Sequence, residues 1–161
     1  MIGWGQGFQP ICAMNYGAKK YGRVRSAFKL TVVIGTGFLV ISTVVIYIFS
    51  EYLITLMSKD REVISIGVQI LRMQCISIPF LAYYAISSML MQNIGKYFWS
   101  LIISISRQGI FYIPLLYLLT NLYGKFGIYL LQPIADILSF VLAVIVVRGM
   151  NTISRKEQKC A

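Results

Sequence analysis

The sequence has no histidine, only three cysteines and only five acidic residues among its 161 positions. The absence of histidine excludes a catalytic triad built on imidazole. Cys12, Cys75 and Cys160 are too few and too scattered for a disulfide framework or a cysteine-based zinc site. No paired carboxylates and no nucleophile–base set are visible, so we predict a protein that is not an enzyme and has no cofactor or metal site.

Charged residues of either sign are also scarce. They make up 12% of the chain, whereas about 25% is usual for a soluble domain, and 58% of the residues are hydrophobic. With so few charges, the helices cannot each present a polar face to water, and their apolar faces must meet lipid. The apolar runs are about twice the 9–11 residues of a membrane β-strand, so we predict an all-α integral membrane protein.

Four apolar stretches are long enough to cross a hydrocarbon core of about 30 Å as helices. They lie at residues 30–49, 66–92, 98–120 and 126–147. Residues 1–18 are too short to cross alone and are interpreted as the end of a further membrane helix. Residues 19–29 form a basic connector, Glu51–Glu62 a loop facing solvent, and 149–161 a polar tail.

The placement of the lysines and arginines predicts the orientation of these spans. With the basic connector and the C-terminus on the cytoplasmic side, that side carries ten basic residues and the other side three. An excess of this kind marks the cytoplasmic face. The net charge of +10 therefore indicates topology in a multi-pass protein of the plasma membrane, with lipids as partners and no role in nucleic-acid binding.

Arg107 and Asp136 are charges placed deep in predicted spans, where each costs at least about 2.5–3.5 kcal/mol. Each lies about ten residues into its span, roughly 15 Å along the helix axis, and a short hairpin joins the two helices. We therefore predict a buried ion pair or a shared polar network. The pair either locks two helices together or takes part in proton relay or substrate binding.

Polar residues at helical spacing extend this prediction. They form one stripe on each helix that should face the protein interior. The three stripes are Ser100, Ser104 and Arg107; Gln132, Asp136 and Ser139; and a weaker one of Gln74, Ser77, Tyr84 and Ser88.

All four prolines lie in apolar segments: Pro10, Pro79, Pro114 and Pro133. Each removes one helix hydrogen bond, so we predict bending at these positions. Bent or broken helices line the cavities of transporters, but ordinary kinks are also common in membrane helices, and the sequence leaves both readings open.

The most distinctive segment of the chain is GWGQGFQPICAMNYGAKKYGRVRSAF. It resembles the motif of the C-terminal half of MATE-type (multidrug and toxic compound extrusion) transporters, most closely the staphylococcal-type export proteins. The runs SRQGIFYIPLLYLL and QPIADILSF are similar to that family's eleventh and twelfth helices. The matching motif positions are Gly5, Gln6, Gly7, Gln9, Pro10, Asn15, Gly17, Ala18 and Arg23.

This resemblance implies twelve helices in two lobes, with a central cavity for organic cations and drugs and with export driven by H⁺ or Na⁺. The chain would supply part of the eighth helix and all of the ninth to twelfth, as a partial C-terminal lobe with one partial and four complete membrane helices. It would be inactive without the N-terminal lobe. The stretch equivalent to the tenth helix has no acidic residue, which disfavours a sodium site there.

The candidate residues for a substrate cavity or polar network are therefore Gln6, Gln9, Gln74, Tyr84, Arg107, Gln132 and Asp136. Two other functions stay open at this stage. One is a flippase for lipid-linked oligosaccharides, and the other is a small membrane protein that assembles with partners without transporting anything.

Overall fold

The computed structural model describes the backbone of residues 2–57, 59–123 and 125–160, and within those ranges every regular element is helical. The side chains of residues 2, 123, 125, 126 and 150–160 are outside this description. The helices are α1 Ile2–Gly17, α2 Tyr21–Ile48, α3 Ser50–Met57, α4 Arg61–Cys75, α5 Phe80–Asn93, α6 Tyr97–Ile105, α7 Tyr112–Tyr123 and α8 Lys125–Cys160, with a π-helical segment at Ser106–Ile110 between α6 and α7. The all-α prediction is confirmed.

Three of these helical stretches are long and apolar enough to cross a membrane: Tyr21–Ile48, Tyr97–Leu122 and Gly127–Gly149. The second stretch runs through α6, the π-helical segment and α7. Helices α4 and α5 pass the same test only as a pair, because the chain bends by 56° at the break between them. The described part of the chain thus has three such spans, or four if the bent pair is one span.

The span predicted at 66–92 is therefore not one straight helix. Helix α4 ends at Cys75, tight turns carry the chain through residues 76–79, and α5 begins at Phe80. Pro79 explains the break, because it has no amide hydrogen to continue the ladder of α4. The other prolines do not interrupt their helices: α1 and α8 continue through Pro10 and Pro133, and Pro114 lies in the first turn of α7.

Two connections are more helical than the sequence analysis predicts. Helix α2 already begins at Tyr21, so most of the basic connector 19–29 is helix, consistent with the good helix propensity of lysine and arginine. Only Ala18, Lys19 and Lys20 separate it from α1, and Lys19 takes a left-handed conformation with φ 56°.

The prediction of a loop at Glu51–Glu62 is wrong, because helix α3 occupies most of this range. Helix α3 packs against α4 at Gly67, where an added Cβ would lie 3.0 Å from Cγ2 of Ile54. Asp60 then begins α4 by accepting a hydrogen bond from the amide of Glu62 at 3.0 Å. The backbone of the predicted tail 149–161 continues α8 to Cys160, and its predicted basic side chains lie outside the described residues.

Helix α8 is the central helix of the chain. In its most apolar window 44% of the residues are buried, whereas the corresponding share in α2 is 6%. Helix α8 contacts α4, α5, α6, α7 and the π-helical segment, whereas α1 packs on α2 and α5. Edge-on aromatic contacts link these layers from Phe8 through Phe28 and Tyr83 to Phe140, with ring centroids 5.2–6.3 Å apart.

The hairpin of α7 and α8 depends on a close backbone approach at Gly127. A Cβ added to Gly127 would overlap the main-chain carbonyl of Leu119 in α7. Small residues permit such approaches between membrane helices, where packing replaces the hydrophobic effect as the driving force. Gly149, later in the same helix, has open space where a Cβ would stand.

We therefore expect Gly127→Ala to destabilise the protein by about 1–3 kcal/mol, since the two backbones must move apart. Gly149→Ala is the matched control and should leave stability unchanged or slightly higher, because alanine favours helix over glycine. Thermal unfolding in detergent, followed by circular dichroism, measures both. Equal unfolding temperatures for the two variants would contradict the close approach.

Candidate functional site

The carboxylate of Asp136 is the centre of the polar interior. Asp136 lies on α8 and is 3% exposed, and its neighbours along the helix, Leu131, Ala135 and Ser139, are buried on the same side. A carboxylate in such a place is costly to bury unless other groups pair with its charge and satisfy its oxygen atoms. The surrounding helices supply those groups.

Both carboxylate oxygens of Asp136 have partners. Nε of Arg107 donates to Oδ1 at 2.6 Å, and Nε2 of Gln132, one turn earlier on α8, donates to the same oxygen at 3.3 Å. The hydroxyl of Ser77 donates to Oδ2 at 2.7 Å. The predicted contact between Arg107 and Asp136 is therefore present. Ser77, which lies outside the predicted hairpin, also bonds to this carboxylate.

Two of the partners come from places where the helices are irregular. Ser77 lies in the break between α4 and α5, two residues before Pro79. Arg107 lies in the π-helical segment, where the amide of Phe111 bonds to the carbonyl of Ser106 at 3.0 Å, five residues back. Such segments occur frequently at functional sites. Asp136 thus joins the broken helix and the π-helical segment to α8.

The Ser77 hydroxyl has one hydrogen and two acceptors within reach. The carbonyl of Gln74 lies at 3.1 Å and the carboxylate of Asp136 at 2.7 Å. Hydrogen bonds to charged acceptors are shorter and stronger, so the hydrogen belongs to Asp136. Gln74, a predicted site residue, therefore contributes to this region through its backbone carbonyl, and its half-buried side chain is not among the partners of Asp136.

A cluster of serine hydroxyls lies beside the ion pair, between α5 and α6. Oγ of Ser88 is 3.0 Å from Oγ of Ser100 and 2.8 Å from Oγ of Ser104. The phenol of Tyr84 donates to the carbonyl of Ser104 at 3.2 Å. Ser104 precedes Arg107 by three residues, so this cluster lies one turn from the arginine of the ion pair.

Two predicted site residues, Gln6 and Gln9, lie on α1. Gln6 is exposed and Gln9 half-buried, and both belong to α1, which packs on α2 and α5. Gln6 and Gln9 are not among the partners of Asp136. The residue that sequence reasoning undervalued is Ser77, which it placed only in a weak stripe. The available signal was its position two residues before Pro79, where a broken helix turns a side chain away from the regular spacing.

The arrangement has a clear electrostatic consequence. Arg107 neutralises Asp136 directly, and 27% of its side chain remains exposed, so the pair is closed on the carboxylate side and partly open on the guanidinium side. A proton or metal ion that approached Asp136 would have to displace this guanidinium. The geometry therefore favours a lock between helices over a free acid for ion binding.

Comparison with known proteins identifies the kind of molecule. The MatE family model matches residues 1–118, a range that includes Arg107 and ends before Asp136. No curated protein sequence matches the chain significantly.

Solved MATE structures share the fold. The multidrug transporter DinF-BH, determined in complex with a ligand, is 36% identical with a TM-score of 0.86, and the match covers 92% of this chain and 33% of that one. A variant of VcmN from Vibrio cholerae is 25% identical with a TM-score of 0.83, covering 91% and 33%. An inward-facing multidrug resistance MATE transporter of the MOP superfamily shares the fold at 15% identity, with a TM-score of 0.88, covering 94% and 36%.

The chain thus spans about a third of the length of the solved transporters that it matches. With residues 1–118 of its 161 matched by the family model, and with its helices arranged as in those transporters, the chain belongs to the MATE family of multidrug transporters.

Proposed function

We propose that the chain is part of a multidrug antiporter that exports organic cations and drugs in exchange for H⁺ or Na⁺. The observation that carries this proposal is the family match together with 36% identity to a MATE multidrug transporter over 92% of the chain. The same match favours drug export over the flippase and over the non-transporting subunit.

We also propose that the chain corresponds to the C-terminal lobe and does not transport by itself. It spans about a third of its solved relatives, and alternating access in transporters of this kind requires two lobes that rock about a shared site. The N-terminal lobe would then be its partner. The positive-inside count supports a cytoplasmic connector between α1 and α2 and a cytoplasmic C-terminus.

Within this lobe, the network around Asp136 serves as a lock that holds the α4–α5 break and the π-helical segment against α8. Three donors from three elements converge on one carboxylate. Because Asp136 is already paired with Arg107, we expect the coupling ions to bind other acidic residues of the complete transporter. The network keeps this lobe rigid during its movement.

Expression of this chain alone in a drug-sensitive host should therefore leave ethidium accumulation unchanged, because one lobe cannot provide alternating access. Fluorescence of the accumulated dye measures the effect, with intact DinF-BH at the same membrane level as the positive control. Ethidium efflux from cells that carry only this chain would contradict the proposal of an inactive lobe.

The lock is tested by removing each charge of the ion pair. Asp136→Asn and Arg107→Gln should each lower stability by at least about 1 kcal/mol, because each leaves a buried partner without its counter-charge. The double variant should lose less than the sum of the two, by roughly 0.5–3 kcal/mol, because neither charge is then orphaned.

Unfolding of the four proteins in detergent measures this coupling, with Glu62→Gln as the control for neutralising an exposed carboxylate. If the effects of the two substitutions on stability were additive, the proposal that this ion pair locks the helices together would be wrong. If Asp136→Asn in the complete transporter kept its fold but lost only ion coupling, the role of Asp136 would be in coupling and the lock would be the wrong assignment.

A further inference from the structure

A second polar region lies in a groove of about 550 Å³ between α3 and α4. Its polar lining consists of Glu51 and Thr55 from α3 and Arg61, Ser65, Gln69 and Arg72 from α4. The four residues of α4 follow one face of the helix at intervals of three or four, which explains why they share the groove. The apolar side chains of Ile64 and Val68 complete the lining.

The groove lies at a membrane boundary. The uncharged stretch from Leu30 to the end of α2 at Ile48 is about 30 Å long, so its far end marks the edge of the hydrocarbon core. Arg72 contacts that end: its guanidinium lies over the ring of Tyr47, 5.3 Å from the centroid, and its Nε donates to Oγ of Ser50 at 3.1 Å. Arg72 is therefore at the level of the lipid headgroups, although it lies eleven residues into α4.

The charges of the groove do not neutralise one another. Among the residues that the structure describes, no ion pair joins Glu51 to Arg61 or Arg72. The contacts with Tyr47 and Ser50 fix the position of the Arg72 guanidinium. Within the described part of the chain, no residue accepts a hydrogen bond from its two terminal nitrogens, which can therefore bind another acceptor. The groove thus presents the fixed guanidinium of Arg72 and the separate carboxylate of Glu51.

We propose that this groove binds the headgroup of an aminophospholipid. The terminal nitrogens of Arg72 hold the phosphate, and Glu51, the residue after Ser50, accepts hydrogen bonds from the primary ammonium. Arg61 lies about 16 Å along α4 from Arg72, too far to contact the same headgroup. Guanidinium groups suit phosphate oxygens, and only a headgroup with both charges satisfies Arg72 and Glu51 together. Tyr52 and Leu56, 68% and 76% exposed on α3, offer apolar surface for the acyl chains.

Native mass spectrometry of the detergent-solubilised chain, titrated with single lipids, tests this proposal without reference to transport. Phosphatidylethanolamine should bind about five-fold more tightly than phosphatidylcholine, whose quaternary ammonium has no hydrogen to donate to Glu51, a ratio equivalent to about 1 kcal/mol. Glu51→Gln should abolish this preference. Arg72→Gln should weaken the binding of every phospholipid, and Arg61→Gln should have a much smaller effect.

Lys59→Gln is the matched control, since Lys59 is exposed, lies close to Arg61 in sequence and does not line the groove. Its lipid binding should equal that of the unchanged chain. An equal loss in Lys59→Gln and Arg72→Gln would reduce the effect to general electrostatics and overturn the site. Tightest binding of phosphatidylglycerol, unaffected by Glu51→Gln, would overturn the aminophospholipid assignment. If Arg72→Gln loses its helical signal, the proposal is judged by whether Glu51→Gln abolishes the preference for phosphatidylethanolamine over phosphatidylcholine.

Discussion

A buried carboxylate in a lipid-facing protein is the constraint on which this fold depends. Asp136 is almost fully buried, so water cannot solvate its carboxylate. Its two oxygens therefore require donors from the protein, and the donors come from Arg107, Ser77 and Gln132. The carboxylate thus fixes where the surrounding helices must meet. A neutral residue at position 136 would remove the interactions that hold these helices together at this point.

Irregular backbone is what makes that convergence possible. A straight α4–α5 helix would keep Ser77 on the regular spacing, whereas the break beside Pro79 allows its hydroxyl to reach α8. The π-helical segment likewise changes the direction of Arg107 relative to the faces of α6 and α7. Irregular backbone is tolerated in membranes only where other protein groups bond to its free amides and carbonyls. Here both irregular segments lie around a single charge, the carboxylate of Asp136.

Much of this arrangement follows from the sequence, and the exceptions have physical causes. The cost of burying Arg107 and Asp136, together with their equal depth on neighbouring helices, predicts their contact. The role of Ser77 could not be predicted, because it depends on the 56° bend and not on helical spacing. Helix α3 was missed because the charges around it resemble a solvent loop, whereas the close approach at Gly67 that accommodates it is tertiary. Gln6 and Gln9 were predicted from the family motif, and they lie on α1, which packs on α2 and α5.

The two charged regions differ in where their charges lie, one in the interior of the chain and the other at its surface. At the ion pair, Arg107 meets its counter-charge within the chain, so the site is closed and its energy holds helices together. At the groove, Arg72 is held by an aromatic ring and a hydroxyl, neither of which neutralises it, so its charge stays directed outwards. Arginine therefore stabilises the fold at position 107, whereas at position 72 it is available to bind a lipid headgroup. The difference lies in whether the protein itself supplies the anion.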